Sequence, residues 1–218
     1  MHQAAQDPFI RLQRHPVDSD LVESISALKA SLKQLNLESE FGNADADLLA
    51  LLKERFGLPR RYLTFLQHCD PLQVETVTPA ERIQFIPSSE LIAEQAEHCL
   101  AEDGSLITKP TRSGWRPSWF IIGHSGLLGD PYFLDTSQVD AEGDCPVYSA
   151  MSGTEVWQAR LCASSFAMFV RILAITMDVA DDFDLEDYDP DNERVFREAV
   201  GPRIREVDPA AQKAGHWT

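Results

Sequence analysis

No apolar run in this chain approaches the roughly 20 residues that a membrane-spanning helix requires. The opening stretch, MHQAAQDPFIRLQRHP, holds no continuous apolar segment of the kind a secretory leader carries. Neither a GxxxxGK[ST] phosphate loop nor a GxGxxG dinucleotide fingerprint occurs, and no cofactor is implied. The four cysteines, Cys69, Cys99, Cys145 and Cys162, never form a CxxC. In a chain without a leader they suggest reduced, buried thiols, neither a disulfide framework nor a zinc site. Basic residues are scarce too: 19 Lys and Arg stand against 35 Asp and Glu, a net charge of −16. Such a field repels nucleic acid, whose binding rests on neutralising phosphates, and favours fast association with a basic partner. The expectation is a cytoplasmic protein that binds neither membrane nor nucleic acid.

What is present suffices for a core: 44% hydrophobic residues and 11 Phe in 218 residues. The chain is organised around Trp119 to Thr136, WFIIGHSGLLGDPYFLDT. Two short apolar, aromatic-rich runs flank a glycine-bearing loop, which predicts a β-hairpin at the centre of a sheet. Before it, Leu21, Ile25, Leu28, Leu32 and Leu35 recur at helical spacing from Asp20. A second helix is expected to begin at Asn43, with Asp45 and Asp47 in its first turn and Gly57 at its stop. A third carries Pro59 in its first turn and ends at Asp70-Pro71. Short strands are expected at Val74 to Val77 and Ile83 to Ile86, then a helix bearing Leu91, Ile92, Gln95 and Cys99. The acid-free connection from Ser105 to Pro117 carries Lys109, Arg112 and Arg116 and is left without assigned structure. Past the hairpin, strands are expected at Pro146 to Ala150 and Val156 to Leu161, then a helix capped by Ser164 or Ser165. Asp178 to Glu193 contains nine acidic residues and no basic one. The tail beyond is disordered or folds back as a short helix.

Chemistry is poorly supported by the residue pattern. Gly123-His124-Ser125-Gly126 falls one place short of the G-x-S-x-G elbow, and a strand is expected to follow it where the elbow needs a helix. His124, Asp130 and Asp135 match no ligand spacing, so metal and catalytic residues are both set at none. Asp130 fits a turn and Asp135 a strand-end cap. Trp115, in a Gly-Trp-Arg-Pro loop, fits either a core edge or an interface anchor.

The order of motifs resembles the SUKH superfamily, the family of the fungal cell-wall assembly regulator and of many bacterial immunity proteins. Leu58-Pro59, Tyr62 and Phe65-Leu66 resemble its LP-x-x-[YF]-x-x-[FL]-L entry, followed by the Ile83 to Leu91 segment and Trp119 to Gly123. Gly129, Asp130, Tyr132, Leu134 and Asp135 resemble its G-D-x-[YF]-x-[LF]-D core, with Gly126 in the loop before it. Cys145 to Tyr148 is similar to its P-V-Y strand, and Ser164 to Val170 to its closing helix. His68-Cys69-Asp70-Pro71 departs from the Asn-Gly that the family often carries. The resemblance covers about residues 43–176 and divides the chain into an N-terminal arm and helix (1–42), a SUKH-like domain (43–176) and an acidic extension (177–218). It implies an α+β fold, a twisted, largely antiparallel sheet with helices on one side and at the ends. Pro59, Gly126, Gly129, Asp130 and Phe166 are its structural positions. It also implies a non-enzymatic protein-binding function, an immunity protein neutralising a basic toxin domain such as a nuclease. The expected partner-binding residues are Trp115, Asp130, Asp135, Asp181, Asp182, Asp184, Glu186 and Asp187. The alternatives are a regulatory or scaffold module and, third, a small-ligand receptor or enzyme at the hairpin.

Overall fold

The computed structural model describes residues 18–96, 98–126, 128–151, 156–185 and 189–218. Helix α1, Ser19–Gln34, buries Leu21, Ile25, Leu28 and Leu32, the stripe its spacing predicts. Helix α2, Ala46–Phe56, begins at Asp45, whose carboxylate accepts from Asp47 N at 2.9 Å and Leu48 N at 3.1 Å. It ends at Gly57, whose φ of 64° lies in the left-handed region that glycine enters without strain. Helix α3, Arg60–Cys69, follows Pro59, which is extended and stands before the helix as its N-cap instead of inside the first turn. It passes directly into strand β2, Asp70–Val77, at the Asp70-Pro71 step.

Strands β1 (Ser39–Gly42), β2, β3 (Arg82–Phe85), β4 (Trp119–Ser125), β5 (Pro131–Asp135), β6 (Val147–Ala150) and β7 (Ala159–Ala163) form one seven-stranded sheet in sequence order. Every neighbouring pair is antiparallel. The expected hairpin, β4 with β5, is its centre, pairing Trp119 with Asp135 and His124 with Pro131. Alternation sends successive side chains to opposite faces. On one face Tyr132 meets Phe169 and Phe120 meets Phe56, at ring centroids 5.8 and 5.0 Å apart. On the other, Trp119 and Phe133 stack at 4.7 Å beneath Trp115. In the hairpin loop Gly129 takes a φ of 70°. Gly126 keeps ordinary torsions but lies so close to Arg82 that an added Cβ would sit 3.0 Å from its Cβ.

Helix α5, Phe166–Ala180, starts from Ser165, whose hydroxyl accepts from Met168 N. Phe166 is fully buried between Tyr62 and Phe65. Buried Asp144 accepts from Phe166 N at 2.8 Å and Ala167 N at 3.2 Å, so its carboxylate fastens the β5–β6 loop to the start of α5. Helix α1 packs along α5, as does helix α6, Pro190–Val207, and helix α7, Pro209–Ala214, packs on β7. The hydrophobic core is continuous from Leu21 to Trp217 and crosses positions 42/43 and 176/177.

Besides Pro59 and the start of α2, which is Ala46 and not Asn43, three further expectations differ from the structure. The helix expected over Leu91 to Cys99 is the single turn α4, Leu91–Glu94. Fully buried Gln95 donates to Ile121 O at 3.1 Å and accepts from Ile121 N at 3.0 Å. Its amide continues the sheet against β4 where β3 has ended, and satisfying those backbone groups overrides helical propensity. The last strand begins at Ala159, later than expected, because Trp157 donates its N–H to Ser113 O and turns its ring to Trp115. The tail forms α6 and α7, and α6 alone spans 18 residues. No helix among the described residues is long and apolar enough to cross a membrane.

Candidate functional site

Two surfaces stand out, and the first draws together residues that the sequence separates widely. The first is a cleft of about 380 Å³ at the hairpin end of the sheet, lined by Glu81, Ser125, Asp130, Tyr132, Ser149, Arg160, Arg197 and His216. The β2–β3 turn supplies Glu81, the hairpin supplies Ser125, Asp130 and Tyr132, and the tail supplies Arg197 and His216. Ser125 Oγ donates to Glu81 Oε1 at 2.7 Å. Burial pushes the Glu81 carboxyl above its usual range, against the lowering effect of bonds from Ser125, Arg82 N and Tyr132. His216 joins Tyr132 Oη through Nε2 at 3.0 Å and Ser149 Oγ through Nδ1 at 3.1 Å. Desolvation, then the cations Arg160 and Arg197, push its pKa down to about 3, so the ring stays neutral, one nitrogen donating and the other accepting. Arg197 donates to the His216 carbonyl at 3.0 Å and pairs with Glu193 at 2.9 Å. The network closes the tail onto the sheet and leaves a polar cleft with Leu128 and Met151 exposed at its lip. Ser125, Tyr132, Ser149 and both ring nitrogens of His216 are each bonded to another side chain of the cleft wall.

The second surface is acidic, and the acids in it fall into two kinds. Asp189 caps α6, and Asp191 and Glu193 occupy its first turn, where a helix N-terminus favours negative charge. Asp178 pairs with Arg203. Asp181, Asp182 and Asp184 are exposed at the C-terminal end of α5, whose last turn contains no basic residue. Helix electrostatics disfavours acids there. Gln34 of α1 donates to Asp181 Oδ2 at 2.6 Å.

Asp130 is half-buried on the cleft wall. Trp115, expected as a possible anchor, is only 1% exposed, packed between Trp119 and Phe133 of the sheet and Trp157. Asp135 is 2% exposed and holds the strand end by accepting from Ser137 Oγ and Gln138 Nε2. Neither can make first contact with a partner. Glu186 and Asp187 lie outside the described residues. The trio His124, Asp130 and Asp135 does not converge: His124 bonds Glu94 at 2.9 Å, and Asp135 is at the opposite end of the hairpin. Among the described residues no group of three metal-ligating side chains forms. Glu81, Ser149, Arg160, Arg197 and His216 carried no signal in the sequence, since Tyr132 and His216 are 84 residues apart and no local pattern links them.

A comparison with curated proteins found no match. The family model for the SMI1/KNR4 family (SUKH-1) matches residues 43–172, a span that runs from the start of α2 into α5 and takes in β2 to β7. The motif order, the meander sheet and the closing helix therefore have one common explanation: the chain belongs to the SMI1/KNR4 (SUKH-1) family.

Proposed function

We propose that this protein is a cytoplasmic immunity-type binder that captures a toxin domain with a basic surface, a nuclease being the kind that fits, and covers the surface on which the toxin acts. The observation that carries this reading is the set of exposed acids Asp181, Asp182 and Asp184 in the turn that leaves the C-terminal end of α5, where the helix dipole disfavours negative charge. On a chain of net charge −16 they form the leading edge of a field that draws a basic partner in. Asp130 and the cleft, bordered by the exposed side chains of Leu128 and Met151, supply a further contact.

Co-expression with the product of the neighbouring gene, followed by pull-down and a toxicity assay, tests the reading. A neighbouring toxin that neither binds nor is neutralised would overturn it. The association rate is expected to fall about tenfold or more from low to physiological salt. Asp182→Lys is expected to act in opposite directions on two readouts. It should slow association several-fold and raise folding stability by roughly 0.3 to 1 kcal/mol, because a cation suits that helix end. A loss of both stability and binding would assign Asp182 to the fold.

A further inference from the structure

The sheet face turned away from α5 carries a different surface. A groove of about 320 Å³ there is walled by Trp119, Tyr148 and Trp157, with Arg116 and Gln138 at its edge. Trp157 and Tyr148 are half-buried, whereas Trp115 beneath them is closed off. Val156 and Val139, next in sequence to Trp157 and Gln138, are 51% and 41% exposed. Arg116 places its guanidinium 5.3 Å from the Trp119 ring centroid. Arg112 is exposed in the turn whose Ser113 carbonyl accepts the Trp157 N–H. Asp135 also borders the groove, but its oxygens are taken by Ser137 and Gln138.

Scattered exposed apolar side chains are ordinary, but Trp, Tyr and Arg gathered at one groove are the residue types that anchor interfaces. The charge is equally specific. In a chain of net charge −16, Ser105 to Pro117 carries three cations and no acid. We propose that this groove is a second docking site that takes an acidic segment of a protein partner. An apolar side chain of that segment seats between Trp157 and Tyr148, and flanking carboxylates meet Arg116 and Arg112. This site is distinct from the acidic end of α5 and opposite to it in charge. It goes beyond the immunity reading and can fail without it.

The test titrates the full chain with two fluorescein-labelled peptides, each a phenylalanine flanked on both sides by two glutamates or by two lysines. Saturable binding of the glutamate peptide alone is expected. The double variant Arg112→Glu with Arg116→Glu should weaken it about tenfold or more. Trp157→Ala should weaken it about fivefold or more, and Asp182→Lys should leave it unchanged. Trp157 touches buried Trp115, so the exposed arginines keep the test decisive if that variant misfolds. No saturation at about millimolar peptide, equal affinity for the lysine peptide, or an unaltered affinity in the arginine variant would each overturn the proposal. So would a loss of affinity in Asp182→Lys.

Discussion

His216 shows how a single side chain ties pH to the fold. Its ring bonds Tyr132 and Ser149, and burial with Arg160 and Arg197 holds its pKa near 3, against about 6.5 when unfolded. As pH falls through 6.5, the unfolded chain takes up a proton that the folded chain refuses, so stability drops; above that pH the residue contributes no slope. One face of the ring borders an open cleft, and water screening reduces the effect. The expected contribution between pH 7 and 5 is about 1 to 2 kcal/mol. Urea unfolding at the two pH values checks this, with His216→Gln losing less stability than the parent. His68, also lowered by burial, adds to the same slope, so the variant should flatten it without abolishing it. A variant as pH-sensitive as the parent would show that the ring titrates freely in the fold.

Elements here start and stop where one side chain serves backbone groups. Asp45 begins α2 within its own first turn, and the residues involved are three apart or closer. Gln95 does comparable work across 26 residues by pairing with Ile121 on β4. Replacing Gln95 with Ala strands a buried N–H and a buried carbonyl, an expected loss of about 2 to 4 kcal/mol in chemical denaturation. Asp45→Ala should cost only about 1 kcal/mol, because water can replace an exposed cap. Equal losses would mean that the Gln95 bonds are not sustained in solution. Only the first of these devices was legible in the sequence. The acids Asp45 and Asp47 and the Gly57 stop leave a local signature, although the sequence puts the helix start at Asn43, two residues before the Asp45 cap. Gln95, by contrast, sits at helical spacing from Leu91 and betrays nothing of its partner on β4.

At the scale of the whole molecule, segments outside the family match help to close its core. Trp217 is 5% exposed and donates to Cys162 O at 2.8 Å, and Asp208 accepts from Ser164 N at 2.7 Å. Ending the chain after Val207 removes the Trp217 and Asp208 contacts, together with buried Ala211 and His216 of the cleft. Loss of a buried tryptophan alone is worth about 3 to 5 kcal/mol, so thermal unfolding should move down by about 5 °C or more. An unchanged midpoint would reduce the tail to an ornament on an independent domain. The acids proposed to meet a partner, Asp181, Asp182 and Asp184, precede this segment and stay in the shortened chain, so its stability can be tested apart from its charge.

The sequence by itself determined the helix stripes, the Gly57 stop, the central hairpin and the family. Each rests on residues within a few positions of one another or on an ordered series of such motifs. Only the tertiary structure decided which side chains face water. The sequence offers Trp115 as a possible anchor and puts Trp157 on a strand, yet Trp115 is covered by three aromatic rings and Trp157 is half-buried. Asp135 and Asp182 carry the same carboxylate, but one is spent on a strand end and the other projects from the wrong end of a helix dipole. Exposure is set by what packs from far along the chain. The hairpin that centres the sequence therefore announced the fold, while the surfaces beside it, built partly from Arg116, Trp157, Arg197 and His216, emerged only when the chain closed.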